Sequence, residues 1–527
     1  MSERDDYGFP PVFPERFNMA DYFLDARVRE GKGDRVAVKV GDRQWTYREV
    51  QAMADRCGHA LRDRGIDLED RVLILLYDGV EFAASFFGLL KAGAVFCMGN
   101  PLLKEADYDY LLDYTRAKAV VADAKTLAAL GPALAKHPRC RVRWLVGEPE
   151  GEMPDGFERF DDALAEASSA TDNADTHRDD VAGWLFTSGT TGKPKGAVHF
   201  HRDFPYNTEC YPKRVLGIGE DDVFVSVSRL FFGYATGTNL MFPFAVGGTA
   251  VLFPDKPTPE RIFEHVEAHG VTVLTNVPAM IRKMVDHEDA DAHPMESLRM
   301  CLSAGEALPP ALYERWRQRW GHCEILDGIG SAEMFHIYIT NYPGDVKPGS
   351  LGKLVPGYDA RVVGPGGEDV ADGEMGRLWI KGDSKALCYW RDMEKSDGVF
   401  RGEWTVSADL FRREGEYFYY AGRGDDMLKV RGMFVSPLEI EGCLETHAAV
   451  KEAAVVGVDD GSGLIVPKAW VVLREGHEAS DALVEALQQH AKTELARYKF
   501  PHRVGFLDAL PRNDRGKIIR RELVERG

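Results

Sequence analysis

A run of glycines, hydroxyl residues and lysines at residues 187–196 has the composition of a phosphate-binding loop. From Thr187 to Gly196 the chain carries three glycines, four serine or threonine residues and two lysines, with apolar residues on both sides. The pattern predicts a strand, a loop and a second strand. Glycines let backbone N–H groups approach a ligand, hydroxyls add donors and lysines add charge, so the loop suits a polyphosphate. It does not have the spacing of a Walker A loop, and a surface loop rich in small residues is the simpler alternative.

The overall composition limits the partners of the protein. The 527 residues include 65 basic and 84 acidic ones, which gives a net charge of −19. This charge argues against nucleic acid or an anionic membrane as a general partner. Apolar residues make up 44% of the chain, enough for a large core, and the length predicts two to four domains.

The cysteines and the N-terminus indicate the compartment. Eight cysteines are scattered along the chain without Cys-x-x-Cys spacing, so neither a zinc site nor a disulfide framework is indicated. The first residues show no apolar region typical of a secretory signal, and the apolar run at 82–98 is more typical of a buried helix leading into a strand than of a membrane span. We therefore expect a cytoplasmic protein, monomeric or homodimeric, without a membrane or nucleic-acid partner.

Alternating strand and helix patterns before residue 150 predict a wound α/β unit that leads to the loop. A hairpin is predicted at 36–47, and apolar residues at helical spacing from Val50 to Leu61 predict a helix. A near-continuous apolar run at 71–76 is typical of a parallel strand covered on both faces. A helix near 81–91 and strands at 119–122 and 143–146 follow. The acidic stretch at 148–180 is predicted to be a surface connection.

A second α/β unit is predicted after the loop. Strands are expected at 223–227, 249–253, 271–274 and 300–303, and a helix from Pro259 to His269, just before Gly270. From 343 to 420 short strands between glycine and aspartate turns predict a small barrel-like layer. A break is expected near Asp425, followed by a compact α/β unit.

The last unit has about a hundred residues, which suffices for a separate domain. Its first helix is predicted to have Ser436 as its N-cap and Pro437 as its first residue. Glu439 stands three residues after the cap, where it would complete a capping box.

The loop and six further stretches resemble the adenylate-forming superfamily of acyl-CoA synthetases, peptide-synthetase adenylation domains and luciferases. The further stretches, in order, are Trp45-Thr46-Tyr47, Leu90-Lys91-Ala92-Gly93-Ala94, Ser303-Ala304-Gly305-Glu306, Gly328-Ile329-Gly330-Ser331-Ala332-Glu333, Gly422-Arg423-Gly424-Asp425-Asp426 and Gly516-Lys517-Ile518. They extend over almost the whole chain. Within the superfamily, the residues from Leu230 to Gly237 and from Glu333 to Ile337 look most like benzoate-CoA ligases.

This resemblance implies a fold and a domain organisation. The fold class is α/β, with a large N-terminal domain, residues 1–424, that contains two wound α/β subdomains and a small β-barrel-like subdomain. A small mobile C-terminal α/β domain, residues 425–527, would pivot about the hinge Asp425. In the family each of two orientations serves one half-reaction.

The resemblance also implies an ATP site. The residues that would hold the β- and γ-phosphates are Thr187, Ser188, Gly189, Thr190, Thr191, Gly192 and Lys193. Glu333 would hold Mg²⁺, which takes oxygen ligands, although a carboxylate at a helix N-terminus is an alternative explanation. Lys517, Glu333 and Thr190 are the residues implied to act in catalysis. The position before Glu333, most often threonine in the family, is Ala332 here, so Ser331, Thr190 or a water would have to supply a donor to the α-phosphate.

The nucleoside and the thiol have their own implied residues. Gly305 and Glu306, with Asp327 and Gly328, match the positions that frame adenine. Asp409 matches the carboxylate that accepts both ribose hydroxyls, and Arg423 also reaches the ribose. In the second orientation Lys429 and Gly432 would come near the adenylate, and Gly432 would leave room for the pantetheine arm of coenzyme A.

The acid pocket implied by the resemblance is aromatic. Its residues would be Phe232, Tyr234, Ala235, Phe242, Gly330, His336 and Ile337, with Phe231 close by. Aromatic side chains with glycine suit a flat ring slot, although aromatic residues at such spacing are often simply core. Between Leu230 and Phe242 there is no acidic residue of the kind that amino-acid-activating relatives use, which leaves benzoate, aminobenzoate or hydroxybenzoate.

The function implied is an ATP- and Mg²⁺-dependent aryl-acid:CoA ligase that forms AMP, with coenzyme A as co-substrate. Three alternatives stay open. The protein could load an acyl group onto a carrier-protein thiol, it could be a medium-chain acyl-CoA synthetase, or it could bind an acyl-adenylate without catalysis. The joint presence of Glu333, Asp409, Arg423 and Lys517 argues against the last.

Overall fold

The computed structural model describes residues 7–188, 193–424, 427–430, 433–461, 465–495, 499–512 and 518–526. Within these ranges three sheets lie in the large N-terminal part, and a smaller α/β unit follows them. The predicted hinge Asp425 lies outside the described residues. The boundary between residues 1–424 and 425–527 therefore stays a prediction.

The first α/β unit follows the predicted alternation of strands and helices. Its strands are β1 Val36–Val40, β2 Arg43–Thr46, β3 Arg71–Leu75, β4 Val95–Met98, β5 Ala119–Asp123, β6 Val142–Val146, β7 Glu158–Arg159, β8 Val181–Ser188 and β9 Pro194–Phe200. Its helices are α1 Tyr47–Asp63, α2 Val80–Lys91, α3 Glu105–Thr115, α4 Leu127–Ala135 and α5 Phe160–Ala165. A seven-stranded sheet has the order β7-β6-β5-β3-β4-β8-β9 and is parallel except for the β8–β9 pair.

The strands on either side of the predicted phosphate loop are confirmed. β8 and β9 run antiparallel, with Thr187 opposite Lys195 and Ser188 opposite Pro194. The loop residues Gly189, Thr190, Thr191 and Gly192 lie outside the described residues. The prediction for 148–180 was incomplete, because this connection contains β7 and the short helix α5, whose Phe160 is buried.

The second α/β unit forms a nine-stranded sheet that also takes in the first hairpin. Its strands are β10 Val223–Ser226, β11 Thr249–Val251, β12 Val273–Asn276, β13 Met300–Ser303, β14 Glu324–Gly330, β15 Ile337–Thr340 and β16 Lys353–Leu354, in the order β16-β15-β14-β13-β12-β10-β11-β1-β2. Its helices are α6 Asp203–Cys210, α7 Gly233–Thr236, α8 Phe242–Val246, α9 Pro259–His269, α10 Pro278–Val285 and α11 Pro310–Arg319. The bounds of α9 are the predicted ones, because Pro259 opens the helix and Gly270 closes it with a φ of +62°.

The third layer is an antiparallel sheet of five strands where we expected a small barrel-like subdomain of short strands. Its elements are β17 Asp359–Val363, β18 Met375–Lys381, α12 Met393–Val399, β19 Phe400–Arg401, β20 Trp404–Glu414 and β21 Tyr417–Arg423. The strand order is β17-β18-β20-β19, and β21 pairs with β20. This sheet carries Asp409 and Arg423 on adjacent strands.

The C-terminal unit is a small α/β fold. Its elements are β22 Leu428–Val430, β23 Met433–Val435, α13 Pro437–Glu445, β24 Val450–Asp459, β25 Ile465–Leu473, α14 Asp481–Glu494, β26 Arg503–Phe506 and α15 Arg520–Glu525. β24, β25 and β26 form one sheet, and β22 pairs with β23.

The predicted start of α13 is confirmed, but its capping box is wrong. Ser436 is the N-cap, yet its buried hydroxyl makes no hydrogen bond to another described residue. Glu439 instead accepts hydrogen bonds from Lys499 at 2.7 Å, so a tertiary partner takes the carboxylate that the local pattern assigned to the cap.

The two large sheets share one hydrophobic core. Helix α2 packs against α8 through Phe87 and Phe244, whose ring centroids lie 4.9 Å apart. Short π-helical turns at Asp21–Asp25, Val28–Lys32 and Gly237–Met241 and 3₁₀ turns at Ala124–Thr126, Ala290–Ala292 and Ala332–Met334 complete the large part. Among the described residues, no helix combines the length and the apolar character that crossing a membrane requires.

Candidate active site

Two neighbouring strand ends form the centre of the site. β13 ends at Ser303 and runs parallel to β14, with Ser303 opposite Asp327. Because carboxyl ends of parallel strands meet at one edge of a sheet, Gly305 and Gly328 come to the same edge. The Asp327 carboxylate is buried behind this edge and accepts a hydrogen bond from Ser303 at 2.7 Å, and burial raises its pKa to about 7.

A cleft of 820 Å³ opens at this edge and brings several predicted residues together. Its lining includes the predicted adenine and ribose residues Gly305, Glu306, Gly328 and Asp409 and the predicted acid-pocket residue Gly330. Gly305 has a φ of +92°, a conformation that favours glycine and turns the backbone towards the cleft. The volume is within the range of small-molecule sites in proteins.

The Asp409 side of the cleft is polar. Asp409 lies on β20 opposite Arg423 on β21. Its carboxylate accepts a hydrogen bond from Ser407 at 3.2 Å and one from Tyr420 at 3.4 Å. A carboxylate oxygen can accept more than one hydrogen bond.

Glu333 lies on the 3₁₀ turn that follows β14, and the groups around this turn hold it in place. The Tyr389 hydroxyl donates to Glu333 Oε1 at 2.6 Å, and the Ala386 N–H donates to the Glu333 carbonyl at 2.8 Å. Burial and the Glu333 carboxylate raise the pKa of Tyr389, so its hydroxyl stays a donor. Glu333 itself is partly exposed.

Lys195 is a charged residue next to this turn that the sequence patterns did not single out as a site residue. Its Nζ lies 5.6 Å from the centre of the Tyr389 ring and 3.9 Å from Asp392. Burial, followed by the nearby Lys395, lowers the pKa of Lys195 to about 8, against the opposing effect of Asp392 and Glu333. Lys193, two residues before Lys195, is exposed, and its Nζ lies over the ring of Tyr110.

The predicted acid-pocket residues surround His336. Its ring stacks on Tyr234 at 5.3 Å and on Tyr211 at 5.9 Å, and Phe242 meets it edge-on at 4.8 Å. Ala235 and Ile337 are buried, while Phe232 and Tyr234 are partly exposed. Most of the predicted set is therefore gathered in one place, with Tyr211 as a member that the pattern did not identify.

His336 is neutral, and one of its two ring nitrogens is a hydrogen-bond acceptor. Its Nε2 donates to the Tyr234 carbonyl at 3.0 Å, which makes Nδ1 an acceptor. Nδ1 is buried and has no hydrogen-bond partner among the described residues. Burial lowers the pKa of this histidine to about 4, so it stays uncharged at neutral pH.

Glycines make room for this arrangement. A Cβ on Gly330 would lie 2.4 Å from the His336 carbonyl oxygen, and a Cβ on Gly237 would lie 2.4 Å from the His336 ring. These positions tolerate no larger residue without displacement of the pocket wall.

The C-terminal unit contributes to the cleft. Ile518, Arg520 and Lys499 belong to its lining, and Arg512 lies 3.8 Å from Glu306. Lys517 and Gly432 lie outside the described residues, as does the hinge Asp425.

Sequence reasoning missed the residues that reach the site from distant parts of the chain. Tyr389 and Arg512 are single residues without a motif around them. Lys195 lies within the glycine-rich loop at 187–196, and its charge in that motif was the one indication available.

The wound sheets, the nucleotide-sized cleft and the glycine-rich strand ends define an adenylate-binding fold. The chain belongs to the AMP-binding enzyme family, whose model matches residues 24–390, and the model of the AMP-binding enzyme C-terminal domain matches residues 439–517.

Relatives and solved structures resemble the chain over nearly its full length. A benzoate–CoA ligase of Thauera aromatica is 42% identical over 99% of this chain and 99% of its own. A 4-hydroxybenzoate–CoA/benzoate–CoA ligase of Rhodopseudomonas palustris is 38% identical over 97% of this chain and 94% of its own. The crystal structure of an anthranilate CoA ligase in complex with anthranoyl-AMP matches with a TM-score of 0.92 and 36% identity over 98% of both chains.

Proposed function

We propose that the protein is an ATP-dependent aryl-acid:CoA ligase that forms AMP. The observation that carries this proposal is the contact between two groups of residues. Gly330 lines the nucleotide-sized cleft together with Asp409, and it also packs against the backbone of His336, around which the aromatic side chains gather. The relatives that activate benzoate, 4-hydroxybenzoate and anthranilate support an aryl acid as substrate.

The reaction has two steps. In the first, a carboxylate oxygen of the acid attacks the α-phosphorus of ATP, an acyl-adenylate forms and pyrophosphate leaves. In the second, the thiol of coenzyme A loses its proton and attacks the acyl carbonyl, a thioester forms and AMP leaves. The first step brings an anion to a polyanion, so it requires positive charge, in-line positioning and exclusion of water.

The phosphate side of the site consists of the loop between β8 and β9 and of the turn that carries Glu333. We assign the β- and γ-phosphates to the run from Thr187 to Lys193, with Thr190 as the residue nearest to the chemistry. Lys195, whose Nζ lies over the ring of Tyr389, adds positive charge at the base of the loop. This charge is local, since the protein as a whole is acidic.

Glu333 is the residue that would hold Mg²⁺. Among the described residues there is no cluster of three or more His, Cys, Asp or Glu side chains that could hold a metal ion by itself. One carboxylate beside a phosphate loop fits Mg²⁺, because this ion usually keeps several waters and binds through one or two carboxylates and the phosphates of its substrate. When bound, the ion neutralises phosphate charge.

The nucleoside part of ATP fits the cleft. We assign adenine to Gly305, Glu306, Asp327 and Gly328. The Asp327 carboxylate lies behind the edge of the sheet, so its role would be to hold the backbone that contacts adenine. The ribose is assigned to Asp409 and Arg423.

The acid fits the slot formed by Phe232, Tyr234, Ala235, Phe242, Gly330, His336 and Ile337. These residues are aromatic, apolar or uncharged, which suits a flat ring. Between Leu230 and Phe242 the chain has no acidic residue that could receive the ammonium group of an α-amino acid.

The small domain supplies different residues to the two half-reactions. Ile518, the residue after Lys517, lines the cleft in the observed arrangement, and this supports Lys517 as the lysine that acts on adenylation. Lys429 and Gly432 are assigned to the second orientation, with Asp425 as the hinge. In the first orientation Lys517→Ala should lower adenylation by about 10²- to 10³-fold, which is the effect of removing a charge-stabilising donor.

The experiment that tests the function measures AMP release with ATP, Mg²⁺ and coenzyme A against benzoate, 2-aminobenzoate, 4-hydroxybenzoate, cyclohexanecarboxylate, cinnamate and octanoate. A preference for a benzoate confirms the aryl-acid assignment, and a preference for octanoate contradicts the ring slot.

Pyrophosphate exchange without coenzyme A is measured in parallel. Exchange with an acid but no turnover with coenzyme A favours a carrier-protein thiol, and no exchange with any acid overturns both enzymatic assignments.

A cytosolic location is part of the proposal. All eight cysteines are free thiols, seven of them buried, which suits a reducing compartment. The proposal includes a monomer or a homodimer, and sedimentation would distinguish them.

A further inference from the structure

The turn that carries Glu333 is held from behind by buried polar groups that the proposed chemistry does not use. The turn comprises Ala332–Met334 and follows β14 directly. One of these groups reaches the side chain of Glu333 and another reaches the backbone beside it.

Tyr389 contacts the side chain. Its hydroxyl donates to Glu333 Oε1 at 2.6 Å, and the tyrosine is 7% exposed. The ring packs against Phe400 at 5.2 Å, and the backbone N–H of Tyr389 donates to Ser396 Oγ at 2.9 Å. Tyr389 also forms a β-bridge with Ala197 on β9. The direction of the hydroxyl is therefore fixed before any ligand binds.

A second contact comes from β9 and α6. Nε2 of His199 lies 2.7 Å from the Ala332 carbonyl oxygen, and its Nδ1 lies 2.9 Å from Asp203 Oδ2. Both side chains are fully buried. Because a carbonyl oxygen only accepts, Nε2 must carry a hydrogen, and Asp203 fixes the ring that presents it.

The interior holds this turn through its backbone. Ala332 has an apolar side chain, so its carbonyl oxygen is the group that it offers to His199. His199 and the adjacent Ala386 N–H, which donates to the Glu333 carbonyl, together hold two successive carbonyls.

We propose that Tyr389 and the His199–Asp203 pair are positioning residues that fix the Glu333 carboxylate, Tyr389 through the side chain and His199 through the backbone. This inference rests on the proposed function, in which Glu333 binds Mg²⁺ together with the phosphates of ATP. Outer groups that orient a metal ligand typically change metal affinity or activity by 10- to 100-fold when they are removed.

The first test is Tyr389→Phe, which removes only the hydroxyl. Mn²⁺ is used as the probe, and its affinity for the protein–ATP complex is measured from the electron paramagnetic resonance of free Mn²⁺. We expect this affinity to fall about 10-fold. The binding of metal-free ATP, followed by calorimetry, and the formation of thioester from supplied benzoyl-adenylate should both stay unchanged.

Tyr47→Phe is the matched control. The Tyr47 hydroxyl is fully buried and donates to the carbonyls of Pro243 and Gly248, far from the Glu333 turn. This variant loses buried hydrogen bonds as Tyr389→Phe does, yet it should keep the Mn²⁺ affinity of the natural protein. A fall of equal size in both variants would overturn the inference, because it would show a general loss of order.

The second test uses His199. Glutamine places an N–H near the position of Nε2, whereas asparagine places one near Nδ1. We expect His199→Gln to keep most of the Mn²⁺ affinity and His199→Asn to lose about 10-fold. Equal effects of the two substitutions would contradict the role of the Ala332 carbonyl.

Glu333→Gln separates this inference from the function on which it rests. If Glu333→Gln leaves the Mn²⁺ affinity unchanged, the assignment of the metal to Glu333 is wrong and the inference fails with it. If Glu333→Gln lowers the affinity and Tyr389→Phe does not, the function stands and the positioning role is refuted.

Discussion

The guanidinium of Arg282 on α10 donates to the carboxylate of Glu445 on α13 at 3.2 Å, and this ion pair joins the large domain to the first helix of the small one. Both side chains are mostly buried, and Arg282 also donates to the Lys451 carbonyl at 2.5 Å. Desolvation raises the pKa of Glu445, and Arg282 opposes that shift. The pair belongs to the domain arrangement in which Ile518 lines the nucleotide cleft.

Arg282→Ala should therefore impair one half-reaction selectively. If the pair stabilises the arrangement that serves adenylation, a loss of about 1.4 kcal/mol lowers the equilibrium constant for that arrangement about 10-fold. We expect acid-dependent pyrophosphate exchange to fall by up to that factor, and thioester formation from supplied acyl-adenylate not to fall.

Arg261→Ala serves as the control for this prediction, because Arg261 forms an exposed pair with Glu264 on α9. It should leave both half-reactions unchanged. Equal losses of both half-reactions in Arg282→Ala would contradict a role in choosing the domain orientation.

Local patterns predicted most of the scaffold. Helix α9 and strand β3 came close to their observed bounds because Pro, Gly and an uninterrupted apolar run act over a few residues. The capping box at Ser436 failed because Lys499, sixty residues from Glu439, took the carboxylate instead. A local rule gives way when a tertiary partner competes for the same group.

Candidate site residues could be named only where the sequence resembles a family. Gly305, Gly328 and Asp409 line one cleft, and their roles in nucleotide binding stay predictions. The bond from Tyr389 to Glu333 joins residues 56 positions apart. No spacing rule encodes such a contact, since it depends on how the segment at 387–390 lies along β9.

His336 should discriminate among ring substituents. Its buried Nδ1 is an acceptor without a partner among the described residues. If the acid binds in the proposed slot, we expect an amino or hydroxyl group on its ring to donate to this nitrogen. An unsatisfied buried acceptor costs about 1–3 kcal/mol, so such an acid should exceed benzoate in kcat/KM by roughly 10- to 100-fold. The measurement compares benzoate with 2-aminobenzoate, 3-hydroxybenzoate and 4-hydroxybenzoate.

The matched variant is His336→Leu, in which the preference for a ring donor should disappear while KM for ATP stays the same. A protein that prefers plain benzoate and keeps that preference in His336→Leu would refute this role of Nδ1.

Acid pH should destabilise the protein through two buried histidines. Burial lowers the pKa of His201 to about 3 and that of His336 to about 4, whereas an unfolded histidine titrates near 6.5. Between the folded and the unfolded pKa values, the unfolded state binds the proton and the folded state does not. The free energy of unfolding therefore rises with pH, and the contribution of each histidine is fully present above about pH 6.5. Between pH 7.5 and pH 5 each histidine should cost about 2 kcal/mol.

Urea unfolding at pH 7.5, 6 and 5 measures this effect. The variant His336→Leu should lose about 2 kcal/mol less on acidification than the natural protein. His177→Gln, at a partly exposed position, should keep the full pH dependence. An unchanged pH dependence in His336→Leu would show that the folded protein accepts the proton after all.

Lys91 should be the lysine whose loss destabilises the large domain most. Its Nζ lies 2.6 Å from Asp25 and 2.8 Å from Asp55, and all three side chains are almost fully buried. Lys91→Met leaves two buried carboxylates without their cation, which should lower the free energy of unfolding by about 3–5 kcal/mol. Lys136→Met, at an exposed pair with Glu105, should change it by less than about 0.5 kcal/mol. Neutralising both carboxylates as Asn in the Lys91→Met background should recover part of the loss, and no recovery would mean that packing rather than charge makes Lys91 important.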